Sequence, residues 1–398
     1  MRRRVTLTWQ SEELRALKTM MRDTVGRMAA GTAVLLAAAG LAAGSAAYPA
    51  LAAGPGPAST TQPAAATWKV VKKVAGEDFT AVVATGRNGG WAFGSGTPSA
   101  NPKPTAWRRS GSSWTRVSFP GQRNEVVVTA EAASATDVWA FTTGGAQSRA
   151  LRWNGRAWTV QRSFSLPIGG AAVISPGDVW VFGQPSFPGS STGFGAWHFD
   201  GRGWTHVASG HGLQGGSGLS AHDVWSFDGT DVAHWNGSAW SRTSVARLLP
   251  AAQKTHLNDP AVAGIFAVSA DSVYAVGNGN QEDDGGPMVL LHWNGRAWSK
   301  VAGGLFGFDV EPAQPMASDG HGGLWIPMAG PEGGSDSHLL HYSGGRLTTA
   351  AVPGGPSRTD IATVARIPGT SEVLAGGFMH AANNTGAGDA GVLLEFEA

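Results

Sequence analysis

Two phrases recur along this chain, and they constrain its fold more than any other feature. The first is SATDVWAF at Ser134–Phe141. It returns as SPGDVWVF at Ser175–Phe182 and SAHDVWSF at Ser220–Phe227. Weaker copies stand at Ser269–Val276, Gly320–Pro327 and Gly369–Gly376, and GRNGGWAF at Gly86–Phe93 comes first. The second phrase is LRWNGRAWTV at Leu151–Val160. It returns at Trp197–Val207, Ala233–Thr243 and Leu291–Val301, with weaker copies at Ala106–Val117 and Leu340–Ala350. The anchors of the first phrase are Trp91, Trp139, Trp180, Trp225, Tyr274, Trp325 and Leu374, spaced by 41–51 residues. A period of this length implies a solenoid or a propeller, not a string of independent domains.

Each unit reads as four short strands. In the second unit Val126–Ala132 is apolar and β-favouring, and Ser134–Asp137 is a turn. Asp137–Thr142 and Ala150–Trp153 follow, then Asn154-Gly155, a hairpin signal in which both residues accept positive φ. Ala157–Gln161 completes the unit. We therefore expect an all-β, seven-bladed β-propeller of four-stranded blades over residues 66–398. The last unit shows only three strands, Ile361–Arg366, Val373–Phe378 and Gly391–Phe396. Thr67–Val74 reads as a fourth strand without its first three. The N-terminal strand is thus expected to complete the last blade and close the ring.

Upstream of this array the chain reads as an export signal. Residues 1–27 carry seven Lys/Arg against three acids, and no charge follows until after Thr67. Ala29–Ala43 is apolar but short for a membrane span. Ala50-Leu51-Ala52 fits a small-x-small cleavage pattern. Residues 1–52 are read as a signal peptide or an uncleaved N-terminal anchor, and 53–65 as a flexible Pro/Ala/Thr linker. The expected location is secreted, or retained at the membrane by that anchor.

Composition removes several classes of function. Cys 0 excludes disulfides, thiolate metal sites and a Cys nucleophile. A formal net charge of +1 gives no polyelectrolyte drive toward nucleic acid. Trp 17 is high, but fourteen of these fall on repeated second-, third- and fourth-strand positions. Inter-blade packing explains them better than a carbohydrate platform. His198, His234, His292 and His341 share one slot with Arg108 and Arg152, which marks a structural position and not a ligand set. Asp137, Asp178 and Asp223 are read as caps of the turn between first and second strands.

The repeated turns all fall on one face. The other connections are long and different in every unit, and irregular loops on a rigid scaffold are where function sits. Candidate binding residues on those loops are His256, Asn258, Asp259, Asn280, Glu282, Asp283, Asp284, Asp309, Glu332, Asp336 and His380. Glu282-Asp283-Asp284 in a Gly-rich loop is a calcium candidate; no other cofactor is expected. If the chain is an enzyme, its acid and base are expected among Asp259, Asp283, Asp284 and Glu311, since paired carboxylates suit glycosidic chemistry. Lys103, Arg108, Arg109, Arg116 and Arg123 would give the disc a basic side.

The pairing of DVWAF with WNGRAW resembles a repeat of secreted β-propellers from actinobacteria and myxobacteria, and is similar to kelch and tectonin-type blades. The resemblance covers about residues 68–398 and implies the fold, not a chemistry. The copper site of kelch-like galactose oxidases needs a Cys–Tyr crosslink, and this chain has no Cys. Phe199–Trp204 looks like a sialidase Asp-box hairpin shifted by one residue, without an assignable arginine triad. The expectation is an exported, monomeric, non-enzymatic binding or scaffold propeller. Its partner would be an extracellular protein or glycan, with no nucleic acid and no membrane contact by the propeller itself. The alternative is an extracellular polysaccharide-active hydrolase or lyase.

Overall fold

The computed structural model describes residues 67–96, 103–183, 194–207, 209, 212–250, 260–278, 288–305, 315–328, 338–354, 359–381 and 388–397. All its regular elements are strands. The expected signal peptide and linker lie outside the described residues, and residues 66–398 form one compact unit.

β1 (Thr67–Ala75) comes first. β2 (Glu77–Gly86), β3 (Gly89–Gly96), β4 (Pro104–Ser110) and β5 (Ser113–Val117) pair in that order into one antiparallel sheet. β6 (Glu125–Ser134), β7 (Asp137–Gly144), β8 (Ser148–Trp153) and β9 (Trp158–Phe164) form the next. β10 (Ile168–Ser175), β11 (Asp178–Gly183), β12 (Ala196–Phe199) and β13 (Trp204–Val207) repeat the pattern, as do β14 (Gln214–Ser220), β15 (Asp223–Asp228), β16 (Asp231–Trp235) and β17 (Trp240–Ser244). β18 (Ala261–Ser269), β19 (Ser272–Asn278), β20 (Met288–Trp293) and β21 (Trp298–Leu305) follow. Then come β22 (Ala317–Ser318), β23 (Leu324–Met328), β24 (His338–Ser343) and β25 (Arg346–Thr349). Last are β26 (Thr359–Arg366), β27 (Val373–Met379) and β28 (Ala390–Glu397).

These strands make five four-stranded sheets and one eight-stranded sheet. The separate four-stranded sheets expected throughout are therefore not all separate. β10–β13 and β14–β17 join through a single parallel bridge, Gly183 to Gln214, backed by the Gly183 amide on the Leu213 carbonyl at 3.1 Å. A Cβ at Gly183 would lie 2.3 Å from that of Phe194, so only glycine fits beside that ring within its own unit.

β1 pairs antiparallel with β28 over Thr67–Ala75, giving the sheet order β1-β28-β27-β26. The earliest described strand thus completes the latest sheet, as the missing fourth strand required. The first strand of each unit is innermost. β2 touches β6 and β26, and β6–β10, β10–β14, β14–β18 and β22–β26 are likewise in contact. The fifth and sixth units join through Tyr274 and Tyr342, 5.6 Å apart.

Aromatic side chains make these joints. Trp91 of one unit meets Trp153 and Trp158 of the next at 4.9 and 5.1 Å. Trp180 meets Trp235 and Trp240 in the same way, and Trp225 meets Trp293 and Trp298. Trp91, Trp139 and Trp180 are 0–1% exposed, so none is a platform for a sugar. Such rings bury 150–250 Å² each, and edge contacts add about 0.5–1.5 kcal/mol per pair.

The hairpin between third and fourth strands works differently from the sequence expectation. Gly155, Gly201, Gly237 and Gly295 take positive φ, but the preceding Asn or Asp does not. Instead Asn154 Oδ1 accepts the amides of Arg156 and Ala157, both at 3.0 Å, and Asn236 and Asn294 do likewise. Asp200 uses its carboxylate in this role. The amides of Gly203 and Arg202 hold its pKa below the ordinary value.

Candidate functional site

The turn aspartates are not caps, which corrects the sequence reading. Ser134, Ser175 and Ser220 cap the turns, each hydroxyl accepting the amide two residues on at 3.3 Å. The aspartates face the third strand. Asp178 and Asp223 each accept from a His Nε2 at 2.9 Å, and from the Trp two residues on, at 3.1 and 2.7 Å. Asp137 pairs with Arg152 through both carboxylate oxygens. Asp319 holds His341 at 3.0 Å.

Each of these third-strand side chains also lies on a second-strand ring. His198, His234 and His341 stack on Trp180, Trp225 and Trp325 at 4.4, 4.1 and 3.9 Å, and Arg152 sits over Trp139 at 5.1 Å. The repeated set is one structural device: a carboxylate fixes a flat donor, and the donor covers an aromatic ring. Ser272 replaces the carboxylate beside His292, and burial lowers the pKa of that histidine. Among the described residues no three His, Asp or Glu side chains form a metal cluster.

The expected basic side is partly consumed by the fold. Arg109 forms an ion pair with Glu395, and Arg108 lies over Trp91 and Trp153 at 5.7 and 5.3 Å. Arg149 is buried against Glu125 in an ion pair and also donates to the Pro120 carbonyl.

His256, Asn258, Asp259, Asn280, Glu282, Asp283, Asp284, Asp309, Glu311, Glu332 and Asp336 lie outside the described residues. His380 is described, and it marks a polar cluster that the sequence reading missed. Its Nε2 lies 2.9 Å from Asp360 Oδ2, with both side chains well exposed at 43% and 36%. Asp360 is the second residue of β26. Asp78 is the second residue of β2, the neighbouring innermost strand. Both stand five residues before the position that faces the second-strand anchor, Ala365 opposite Leu374 and Val83 opposite Trp91.

The electrostatics of this cluster are unbalanced. Burial pushes the Asp78 carboxyl up to about 6. Asp360 and Glu77 add to the shift, and His380 opposes it. Glu77 is itself 5% exposed and, among the described residues, accepts only the Thr105 hydroxyl, at 2.9 Å. At the equivalent place in the next unit, Glu125 has the Arg149 guanidinium. Asp389 adds a further carboxylate, accepting the Ala381 amide at 2.7 Å. The arrangement can attract a cation, and burial holds the Asp78 carboxyl above the ordinary carboxylate range.

No family model matches the chain, and no curated protein matches it either. Solved structures do. One titled Ycf48 bound to D1 peptide is 11% identical with a TM-score of 0.52, covering 86% of this chain and 99% of that one. The RRP9 WD40 repeats are 11% identical at 0.52, covering 83% and 98%. The β-propeller domain of the trilobed protease from Pyrococcus furiosus is 9% identical at 0.50, covering 81% and 93%. At these identities the likeness establishes the fold. The chain is a β-propeller. Its first and last described strands are paired, β1 to β28, whereas the Pyrococcus domain is described as an open velcro topology.

Proposed function

We propose that this chain is an exported binding propeller that recognises an extracellular protein or glycan on the face opposite the repeated hairpins. We infer that its ring has seven blades, counting the eight-stranded sheet as two that share one bridge. Export rests on the basic, then apolar leader and on Ala50-Leu51-Ala52. Binding rests on where the polar groups go. At the hairpin turns the Asn and Asp side chains, and on the second-strand rings the Asp–His and Asp–Arg pairs, are tied into repeated structural bonds. The Asp78, Asp360 and His380 cluster has no counterpart in that repeat, and it sits on the irregular face.

Its excess of carboxylates favours a partner that presents basic groups. A protein segment rich in lysine or arginine fits this charge better than a neutral glycan. The Asp78→Asn, Asp360→Asn double substitution is expected to weaken capture of the partner by a graded amount, more at low salt than at high salt. Undiminished capture would sink the assignment of the face.

One observation favours a second reading. Burial pushes Asp78 up to about 6 with a second carboxyl group, Asp360, beside it, and paired carboxyl groups suit acid–base chemistry. A polysaccharide hydrolase or lyase would lose turnover almost completely in Asp78→Asn, or in Asp283→Asn, Asp284→Asn. A binder would show only a loss of affinity.

A further inference from the structure

The innermost strands enclose a cavity of ≈ 420 Å³ at the centre of the ring. That volume lies within the roughly 300–1,000 Å³ typical of small-molecule pockets. One level of its wall is set by the residues that face the second-strand anchors. They are Val83, Glu131, Ser217, Phe266, Ala317 and Ala365. Five are apolar or small and neutral. The sixth is a carboxylate.

Glu131 has a structural duty, but that duty does not require an acid. Its Oε2 accepts the Val173 amide of the next unit at 2.7 Å. Ser217 makes the same link two units later, its hydroxyl accepting the Ala267 amide at 3.0 Å. A hydroxyl therefore suffices for the bond. Glu131 brings a second oxygen and a charge that the joint does not use. Among the described residues Oε1 has no hydrogen-bond partner. Among the described residues no cation answers the charge: Arg366, at the edge of the cavity, is exposed and turns its Nε to the Thr370 carbonyl at 2.7 Å.

We propose that the central cavity binds a small alkylammonium ion, with Glu131 as its counter-charge. An ammonium head supplies the N–H donors that Oε1 lacks, and Ser217 Oγ is a further acceptor on the same level. The alkyl body would lie against Val83, Phe266 and Ala317. A bare metal ion fits poorly, because hard cations want several oxygen ligands and the wall offers one carboxylate. Burial pushes Glu131 up to about 7, so the site gains its charge as the pH rises through neutrality. The groups facing it are neutral: the Val173 amide from β10, Val83 from β2, Ser217 from β14, Phe266 from β18, Ala317 from β22 and Ala365 from β26. Its own neighbours on β6, Ala130 and Ala132, are neutral too.

Calorimetric titration of the full chain with n-butylammonium chloride, against 1-butanol as the neutral control, tests this. We expect saturable one-to-one binding of the amine at about pH 8, weakened about tenfold or more in Glu131→Gln, with 1-butanol equally weak. Binding should also weaken at about pH 5.5, where the carboxyl is protonated. Glu131→Gln keeps an oxygen for the Val173 amide, and Glu131→Ser copies the fourth unit, so both should melt no lower than the parent. The proposal is overturned by absence of saturable binding at millimolar amine, or by equal affinity in parent and Glu131→Gln. It is equally overturned if both variants unfold, because Glu131 is then a structural post.

Discussion

Trp68 stands edge-on to Trp325, with ring centroids 5.3 Å apart and planes at 84°. Trp158 meets Trp91 at 5.1 Å and 83°, and Trp240 meets Trp180 at 5.8 Å and 89°. The joint made by the earliest strand is therefore the same joint found within the continuous chain. Phe396, opposite Trp68 on β28, completes it at 4.8 Å from Trp325.

Closure should accordingly be a property of the whole ring. Removing residues 66–75 exposes Trp325, Phe396 and the edge of β28 together. We expect the truncated chain to melt well below the parent. Trp68→Ala alone should cost about 3–5 kcal/mol by urea unfolding, as large buried aromatics do. A truncation that melts with the parent would show that the β1–β28 pairing is not what holds the ring.

The Asp–His–Trp device should matter most where it is most buried. Burial works to raise the Asp319 pKa, and the His321 amide, His341 and the Gly323 amide outweigh it, leaving it lowered. A lowered carboxylate stabilises the fold above its unfolded pKa, and that contribution is lost as pH falls through the folded value. Asp319→Asn should therefore destabilise at neutral pH and flatten the acid side of the stability profile below about pH 4. Equal losses at neutral and acid pH would point to packing alone.

Glu131 should behave in the opposite sense. Its carboxyl is raised from 4.5 to about 7. The stability it contributes is fully present below the unfolded pKa and is lost as pH rises through about 7. Glu131→Gln should thus become progressively more stable than the parent between about pH 5 and pH 8, by up to about 3 kcal/mol. Thermal melts across that range measure it, and a constant difference would contradict the burial of the charge.

The hairpin geometry makes a narrower claim. Gly155 has φ 89, and a Cβ there would meet nothing closer than Thr136 Cβ at 3.4 Å. Gly155→Ala should cost about 1–2 kcal/mol through backbone strain and not through a clash. Asn154→Ala should cost about 1 kcal/mol, because two amides lose their acceptor. If Asn154→Ala is neutral in urea unfolding, the side-chain bonds are not what shapes the turn.

Much of this architecture is legible in the repeat itself. The second-strand anchors, the Trp at the fourth-strand position and the lone strand at Thr67 each pointed to a specific contact. The aspartates were misassigned because Asp before a strand suits a turn cap equally well, and only the fold brings Asp178 to His198. The cluster at His380 was half visible. The histidine stood out on an irregular loop, but Asp78 and Asp360 are 282 positions apart in the sequence and meet only because the ring closes. Their equal offset from Val83 and Ala365 was the signal available. The charge of Glu131 was hidden in a first-strand run that otherwise reads as apolar.

Amide hydrogen exchange with and without a decalysine peptide most directly tests the assignment of recognition to the irregular face. We expect slowed exchange around Asp78 and Asp360 and at Met379–Ala381, reduced by the Asp78→Asn, Asp360→Asn substitution. Protection confined to the hairpins at Asn154, Asn236 and Asn294, or no protection anywhere, would contradict it.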